Sequence, residues 1–282
     1  MAAPAASSPM DLAAIYRPRP ADSRKGDFGR VVVVGGSDRY SGAPAFNALA
    51  ALRAGADLAL VVAPRRAADL VAGYSPDLIT IPCDTPHPDP EVATPLIAQA
   101  DAVVLGGGVA RTPEAHEALR NLLAACGDRP VVVDAEALRA IAGRPEALRG
   151  HRALLTPHGG EYEALMDTPW PASEEARAEA TRAAAERYGA TVIVKGRYDW
   201  ISDGRDTHRD EAGSPYLTKG GYGDLLAGAA AAYLARGHEP LLAARAAAYL
   251  VGTAGARAAA TLGESTLASD ALARFPEVLR AL

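Results

Sequence analysis

The chain contains 282 residues, of which 49% are hydrophobic, and its formal net charge at pH 7 is -5. This length suits one large α/β domain or two smaller ones, and this apolar content is enough to bury a sizeable core. Because no long run of one charge sign is present, neither nucleic acid nor an acidic membrane surface is expected as the main partner. Cys83 and Cys126 provide no disulfide framework and no metal-ligand pair, so a cytoplasmic location is expected.

The N-terminal residues are rich in Ala, Pro and Ser and have no basic segment followed by an apolar one. This composition predicts a disordered tail over residues 1–22 rather than a signal peptide. Residues 23–282 are predicted to form a single domain, since no internal repeat or linker interrupts them. No apolar stretch is long and uninterrupted enough to predict a transmembrane helix.

From residue 30 onward, predicted strands and helices alternate along the chain. Apolar runs predict strands at 30–34, 58–63, 78–82, 101–105, 130–133, 153–155 and 191–195, and an Asp-Gly turn predicts a hairpin between 198–202 and 207–210. Helical patterns cover 44–54, 65–72, 92–99, 113–125, 137–142, 173–188, 225–235, 240–262 and 269–282. This alternation predicts an α/β fold with a central, mostly parallel sheet and helices on both faces.

Polar or glycine-rich residues follow five of the predicted strands. In such sheets, ligands bind beyond the carboxyl ends of the strands, so these five segments are expected to share one site. The segments are Gly35-Gly36-Ser37, Gly106-Gly107-Gly108, Asp134, Thr156-Pro157-His158 and Lys195-Gly196.

The segment 218–228 contains three glycines followed by Asp224 and a run of Ala and Leu. Glycines allow a close approach of the backbone to a ligand, and the N-terminus of the following helix favours a phosphate or a developing negative charge. Asp224 would then act as a base beside a reacting hydroxyl. The alternative is a glycine-rich turn in which Asp224 caps the helix.

Three other strand ends carry candidate site residues, each with a structural alternative. Asp134 is expected either to orient a water or a magnesium ion, or to cap the next helix. His158 binds substrate through a hydrogen bond and Glu161 reaches a metal ion or its waters, although an isolated His is commonly structural. Lys195 meets a phosphate as a point charge, or is a solvated residue at a strand end.

In their order and spacing, these segments resemble the ADP- or ATP-dependent NAD(P)H-hydrate dehydratase family of the ribokinase-like superfamily. The resemblance covers residues 25–237 and implies a ribokinase-like three-layer αβα sandwich. Besides the strand ends, the motifs that carry it are Lys25-Gly26-Asp27-Phe28-Gly29, Tyr40, Gly42-Ala43-Pro44, Arg53-Ala54-Gly55-Ala56, Val133-Asp134-Ala135, Leu138, Gly160-Glu161 and Gly220-Gly221-Tyr222-Gly223-Asp224 with Ala227-Gly228.

The resemblance implies a repair enzyme that restores hydrated NADH or NADPH. The family phosphorylates the ring hydroxyl with ADP or ATP and magnesium, and phosphate is then lost. By resemblance, Asp224 is the base, and the backbone from Gly221 to Gly223 stabilises the transferring phosphoryl group. The substrate contacts implied are Ala43, Gly108, His158 and Asp224. The adenine-nucleotide contacts implied are Lys195, Gly196, Arg197, Tyr198, Asp199 and Gly223. A homotetramer and an NAD(P)H-hydrate epimerase as functional partner are also implied.

The sequence departs from the family pattern at several positions. Tyr222 replaces a Thr, and Gly107 and Gly159 each replace a Pro. Arg197, Tyr198 and Asp199 stand where small residues and a Thr are usual. The alternatives are a ribokinase-like kinase for a sugar or vitamin precursor and a non-catalytic nucleotide-binding protein. The segment from Tyr40 to Pro44 and Thr156-Pro157-His158 favour the dehydratase, and Asp224 favours an enzyme.

Overall fold

A single ten-stranded sheet runs through the computed structural model, which describes residues 5–16 and 18–282. Its strands lie in the order β1-β10-β9-β8-β7-β6-β5-β2-β3-β4. The strands are β1 (Ala5–Ala6), β2 (Arg30–Val34), β3 (Leu58–Pro64), β4 (Ile79–Cys83), β5 (Ala102–Leu105), β6 (Val131–Val133), β7 (Ala153–Leu155), β8 (Thr191–Val194), β9 (Asp199–Ser202) and β10 (Thr207–Asp210).

The strands from β2 to β8 pair in parallel, and β9 is antiparallel to both β8 and β10. This arrangement confirms the predicted mostly parallel sheet, including the hairpin around Asp203-Gly204. Because β5, β6, β7 and β8 are neighbours and parallel, the residues that follow them meet at one edge of the sheet.

Eleven α-helices lie among the described residues and cover both faces of the sheet. They are α1 (Pro9–Ile15), α2 (Gly42–Arg53), α3 (Arg65–Ala72), α4 (Pro90–Ile97), α5 (Pro113–Cys126), α6 (Glu136–Ala140), α7 (Gly159–Met166), α8 (Glu174–Tyr188), α9 (Tyr222–Ala235), α10 (Pro240–Leu262) and α11 (Ala268–Leu279). None of them is long and apolar enough to cross a lipid bilayer.

Alternate residues of the strands enter two separate cores, which gives the predicted three layers. Val31 and Val33 of β2 pack with α1, α2, α3, α9, α10 and α11. Val32 and Val34 pack on the other face with α4, α5, α6, α7 and α8. Successive side chains of a strand point to opposite faces, so a continuous Val run is what a sheet covered on both sides requires.

The prediction of a disordered tail over residues 1–22 is wrong for residues 9–15, which form α1. Leu12 and Ile15 are 0% and 2% exposed, and α1 packs against α10. Arg245 of α10 also forms an ion pair with Asp11 at 2.9 Å. Two apolar residues three positions apart give even this short helix a buried face, which the Ala- and Pro-rich composition obscured. Residues 1–4 and 17 lie outside the described part of the chain.

Candidate functional site

The ends of β6, β7 and β8 converge on Asp134, which is 3% exposed. Thr156 Oγ1 donates a hydrogen bond of 2.7 Å to Asp134 Oδ1, and Lys195 Nζ lies 2.9 Å from the same oxygen. Asp134 does not cap the next helix, because the N-cap position of α6 belongs to Ala135, at φ 50°. The buried Asp134 carboxylate therefore connects the ends of β6, β7 and β8 through the Thr156 hydroxyl and the Lys195 ammonium.

His158 and Glu161 form a reciprocal capping box at the start of α7, a helix that the sequence did not predict. His158 Nδ1 accepts hydrogen bonds from the backbone N–H groups of Gly160 and Glu161, at 3.0 and 3.3 Å. Glu161 Oε2 in turn accepts from the backbone N–H of His158 at 2.9 Å. Since Nδ1 is an acceptor, Nε2 is the ring nitrogen that can donate, and it lies 3.5 Å from Glu161 Oε1. The capping box also holds Glu161 Oε2 4.0 Å from Lys195 Nζ.

The glycine-rich segment turns the chain into α9. Gly221 is the N-cap, and its φ of 100° is a conformation that favours glycine. Asp224 therefore lies within the first turn of the helix and not at its cap, which excludes the capping alternative. A Cβ placed on Gly223 would lie 3.1 Å from Lys195 Nζ. The ammonium and the positive end of α9 thus act on the same small volume.

Tyr222, which replaces the family's Thr, lines the cavity beside these residues, but its hydroxyl is bound to the segment before α11. Its side chain is 7% exposed, and its hydroxyl donates a hydrogen bond of 3.1 Å to the backbone carbonyl of Leu267, just before α11. The residue ties the start of α9 to α11.

The surroundings of Asp224 favour a proton on its carboxylate. Burial, reinforced by the negative charge of Asp134, raises the pKa of Asp224 to about 7, while Lys195 opposes the shift. Burial lowers the pKa of Lys195, but Asp134, Glu161 and Asp224 outweigh that effect, so its pKa is raised and it stays charged. Asp224 can therefore both accept and release a proton near neutral pH.

A cavity of about 650 Å³ opens beside these residues. The polar part of its wall includes Asp134, His158, Glu161, Lys195, Gly196, Arg197, Asp199, Lys219, Gly221, Gly223 and Asp224. Its apolar part includes Leu217, Leu226, Ala248 and Val251. A cavity lined by both charged and apolar side chains suits a nucleotide, whose phosphates and base have those two characters.

The predicted nucleotide loop lies partly in this wall. Gly196 donates its backbone N–H to Asp199 Oδ1 at 3.0 Å, and burial raises the pKa of Asp199 to about 6. Tyr198 is not among the described residues of the wall, and its ring contacts the guanidinium groups of Arg197 and Arg209. Its predicted contact with the nucleotide stays a prediction.

Ala43 and Gly108 are not among the residues that line the cavity. They lie next to Gly107, which is itself close to Asp224. A Cβ on Gly107 would lie 3.5 Å from Ala43 Cβ and 3.3 Å from Asp224 Oδ1. A Cβ on Gly108 would lie 3.3 Å from Ala43 Cβ and 3.2 Å from Tyr40. The two predicted substrate residues thus lie together beside the carboxylate.

Asn47 is a site residue that the sequence reasoning missed. It is 0% exposed on α2, and its Nδ2 donates a hydrogen bond of 2.8 Å to the backbone carbonyl of Asp224. An Asn within the Ala- and Leu-rich α2 was the available signal, because a buried amide needs partners.

Among residues 5–16 and 18–282, no group of three or more His, Cys, Asp or Glu side chains is arranged to hold a metal ion. Magnesium is usually bound through one or two carboxylates, with waters and substrate phosphates completing its shell. Asp134, Glu161 and Asp224 provide carboxylates at the cavity, so the donor chemistry suits a magnesium ion that arrives with a nucleotide.

A sequence profile of the NAD(P)H-hydrate dehydratase family matches residues 31–277, which include this entire constellation. The chain belongs to that family. It is 43% identical over 280 residues to the bifunctional NAD(P)H-hydrate repair enzyme of Pyrobaculum aerophilum, covering 96% of this chain and 54% of that protein. The chain therefore spans about half the length of that relative.

Two further similarities extend over nearly complete chains. The ADP-dependent (S)-NAD(P)H-hydrate dehydratase of Cenarchaeum symbiosum is 38% identical over 266 residues, which cover 92% of this chain and 91% of that protein. The crystal structure of the Bacillus subtilis ADP/ATP-dependent NAD(P)H-hydrate dehydratase, co-crystallised with ATP and magnesium, superposes with a TM-score of 0.86. The two chains are 25% identical, and the match covers 100% of this chain and 99% of that one. These matches confirm the family resemblance and the ribokinase-like fold.

Proposed function

We propose that the protein dehydrates hydrated NADH or NADPH at the expense of ADP or ATP. The observation that carries the proposal is Asp224 in the first turn of α9. Its carboxylate faces the cavity that contains Lys195, and Ala43 and Gly107 lie beside it. Because Asp224 lies both in the cavity wall and beside Gly107, its position suits transfer of a phosphoryl group from one ligand to the other.

Asp224 begins the reaction by accepting the proton of the ring hydroxyl. With a pKa of about 7, a substantial fraction of Asp224 is ionised at neutral pH, and its proton affinity is far higher than that of an exposed carboxylate. The hydroxyl oxygen then forms a bond to the terminal phosphorus of the nucleotide while the bond to the bridging oxygen breaks. Loss of the new phosphate from one ring carbon and of a proton from its neighbour restores the double bond.

Lys195 and the start of α9 stabilise the transferring group. The ammonium and the N–H groups after Gly221 provide positive charge where the phosphoryl oxygens would lie. Magnesium, held by the nucleotide together with the carboxylates of Asp134 or Glu161, would neutralise further phosphate charge. His158 would donate a hydrogen bond from Nε2 to the hydrated dinucleotide.

The proposal is tested by mixing the protein with hydrated NADH, magnesium and either ADP or ATP, and following the absorbance of NADH. Recovery of the absorbance that depends on both protein and nucleotide is the expected result. If neither nucleotide supports recovery while a sugar or vitamin precursor is phosphorylated, the protein is a kinase instead. We further propose a homo-oligomer in the cytoplasm and an epimerase as its functional partner, which size-exclusion chromatography and a coupled assay would test.

A further inference from the structure

We propose that Asn47 is a positioning residue for Asp224 and that it is coupled to Gly107, which must be a glycine because Asn47 occupies the adjacent space. The part that concerns catalysis rests on the proposed function, whereas the coupling between Asn47 and Gly107 does not.

The amide of Asn47 holds the first turn of α9 from the side of α2. Its Nδ2 donates to the Asp224 carbonyl at 2.8 Å, and the residue is completely buried. One turn later, a Cβ on Gly228 would lie 2.1 Å from the Asn47 carbonyl oxygen. The two helices therefore touch at Asn47 through both side chain and backbone, so displacement of the amide would be transmitted to the turn that carries Asp224.

The other end of the amide faces Gly107. Asn47 Oδ1 is buried and has no hydrogen-bond partner among the described residues. A Cβ on Gly107 would lie 2.8 Å from this oxygen and 3.3 Å from Asp224 Oδ1. Because Nδ2 is fixed by the Asp224 carbonyl, the amide cannot rotate away without losing that hydrogen bond.

The loop that contains Gly107 cannot easily retreat either. Its carbonyl accepts a hydrogen bond of 2.8 Å from the Gly36 N–H, and a Cβ on Gly35 would lie 2.3 Å from the same oxygen. Both partners of the Asn47–Gly107 contact are thus held by other elements. Any residue with a Cβ at position 107, including Pro, would have to displace Asn47 or Asp224.

A double-mutant cycle tests the coupling without any assay of activity. Gly107→Ala, Asn47→Ala and the double variant are compared with the unchanged protein by thermal and urea unfolding. We expect Gly107→Ala to lower the unfolding temperature markedly when Asn47 is present and much less when it is Ala, because the nearest clash is gone. If Gly107→Ala alone is insoluble, recovery of soluble protein in the double variant would equally support the coupling. Additive effects, or a double variant as insoluble as the single one, would overturn the coupling.

The positioning role is tested by Asn47→Asp, which keeps the shape of the side chain and removes its N–H donor. Thr181→Ala is the control, since Thr181 is also buried and hydrogen-bonded but lies on α8, in the opposite layer. We expect Asn47→Asp to lower kcat about tenfold or more, with KM values for both substrates changing less than about threefold.

The added carboxylate is also expected to move the acidic limb of the kcat profile to higher pH. An unchanged kcat and limb in Asn47→Asp would overturn the role, as would an equal loss in Thr181→Ala. If the unchanged protein lacks dehydratase activity, the proposed function fails, and the unfolding cycle still decides the coupling.

Discussion

Lys195 Nζ lies 2.9 Å from Asp134 Oδ1, and Thr156 donates to the same oxygen at 2.7 Å. The pair joins the end of β8 to the end of β6 and is only slightly exposed, with 20% and 4% of the two side chains accessible. The contact fixes the ammonium beside Gly223, at the positive end of α9. The geometry makes Lys195 both a structural partner of a buried carboxylate and the proposed phosphate contact.

We expect Lys195→Met to lower the free energy of unfolding by about 3 kcal/mol, because it leaves the Asp134 carboxylate buried without its cation. The KM for the nucleotide should also rise. Chemical denaturation and steady-state kinetics measure the two effects. Thr156→Val is the matched control: it removes one hydrogen bond to Asp134 and keeps the charge pair, so a loss of about 1–2 kcal/mol and an unchanged KM are expected. Equal effects of the two variants would argue against a special role for the ammonium.

Asp224→Asn is expected to lower kcat by about 10²–10⁴-fold, since the amide cannot accept the hydroxyl proton. The variant should also be more stable than the unchanged protein at alkaline pH. Burial raises the pKa of Asp224 from 3.8 to about 7, so the folded protein binds that proton more tightly than the unfolded chain does. Ionising Asp224 therefore costs stability as the pH rises through this interval.

Replacing Asp224 with Asn removes that cost, and thermal unfolding at about pH 5 and 8 measures the difference. A variant that is active, or one that is less stable than the unchanged protein at both pH values, would contradict this account.

The rate of the reaction should depend on pH with an acidic limb near 7. Asp224 must be ionised to act as a base, and burial places its pKa at about 7. We expect kcat/KM to fall about tenfold for each unit of pH below that value, because kcat/KM reports the free enzyme and one proton blocks its base. Lys195→Met should move the limb upward, since Lys195 favours the ionised form of Asp224. A kcat/KM that stays constant from about pH 5 to 8 would exclude Asp224 as the base.

Tyr222→Phe should leave kcat and both KM values unchanged, because the Tyr222 hydroxyl binds the Leu267 carbonyl and not the cavity ligands. The lost hydrogen bond should cost about 0.5–1.5 kcal/mol of stability. Tyr222→Thr restores the family's residue but empties a buried site against α11, so a larger loss of stability is expected. A strong effect of Tyr222→Phe on the nucleotide KM would show that the hydroxyl reaches the ligand.

Leu12→Ala is expected to destabilise the protein by about 2–5 kcal/mol, as a large buried side chain in a packed core does when truncated. Ala14→Ser, on the exposed face of the same helix, is the control and should change stability by less than about 0.5 kcal/mol. Thermal unfolding of both variants measures the contribution of α1. Equal stability of Leu12→Ala and the control would support the disordered tail that composition predicts.

The sequence predicted the features that depend on local pattern. The Val run of β2 and the glycines before Asp224 identified the sheet and the start of α9, because strand burial and tight turns have strong local signatures. Asn47 was missed, since its role depends on contact between α2 and α9, which are far apart in the sequence. The capping box of α7 was missed because His is an unusual N-cap residue. The contacts of Tyr222 with Leu267 likewise depend on tertiary packing that no local pattern reports.

The central claim is that Asp224 is the base for phosphoryl transfer to the ring hydroxyl, and that elimination of the new phosphate then restores NADH. The most direct measurement follows NADH and inorganic phosphate together after hydrated NADH, magnesium and a limiting amount of ADP or ATP are added. The account predicts that one NADH and one phosphate form for each nucleotide consumed, and that Asp224→Asn forms neither. Nucleotide consumption without NADH, or NADH formed equally by the variant, would contradict it.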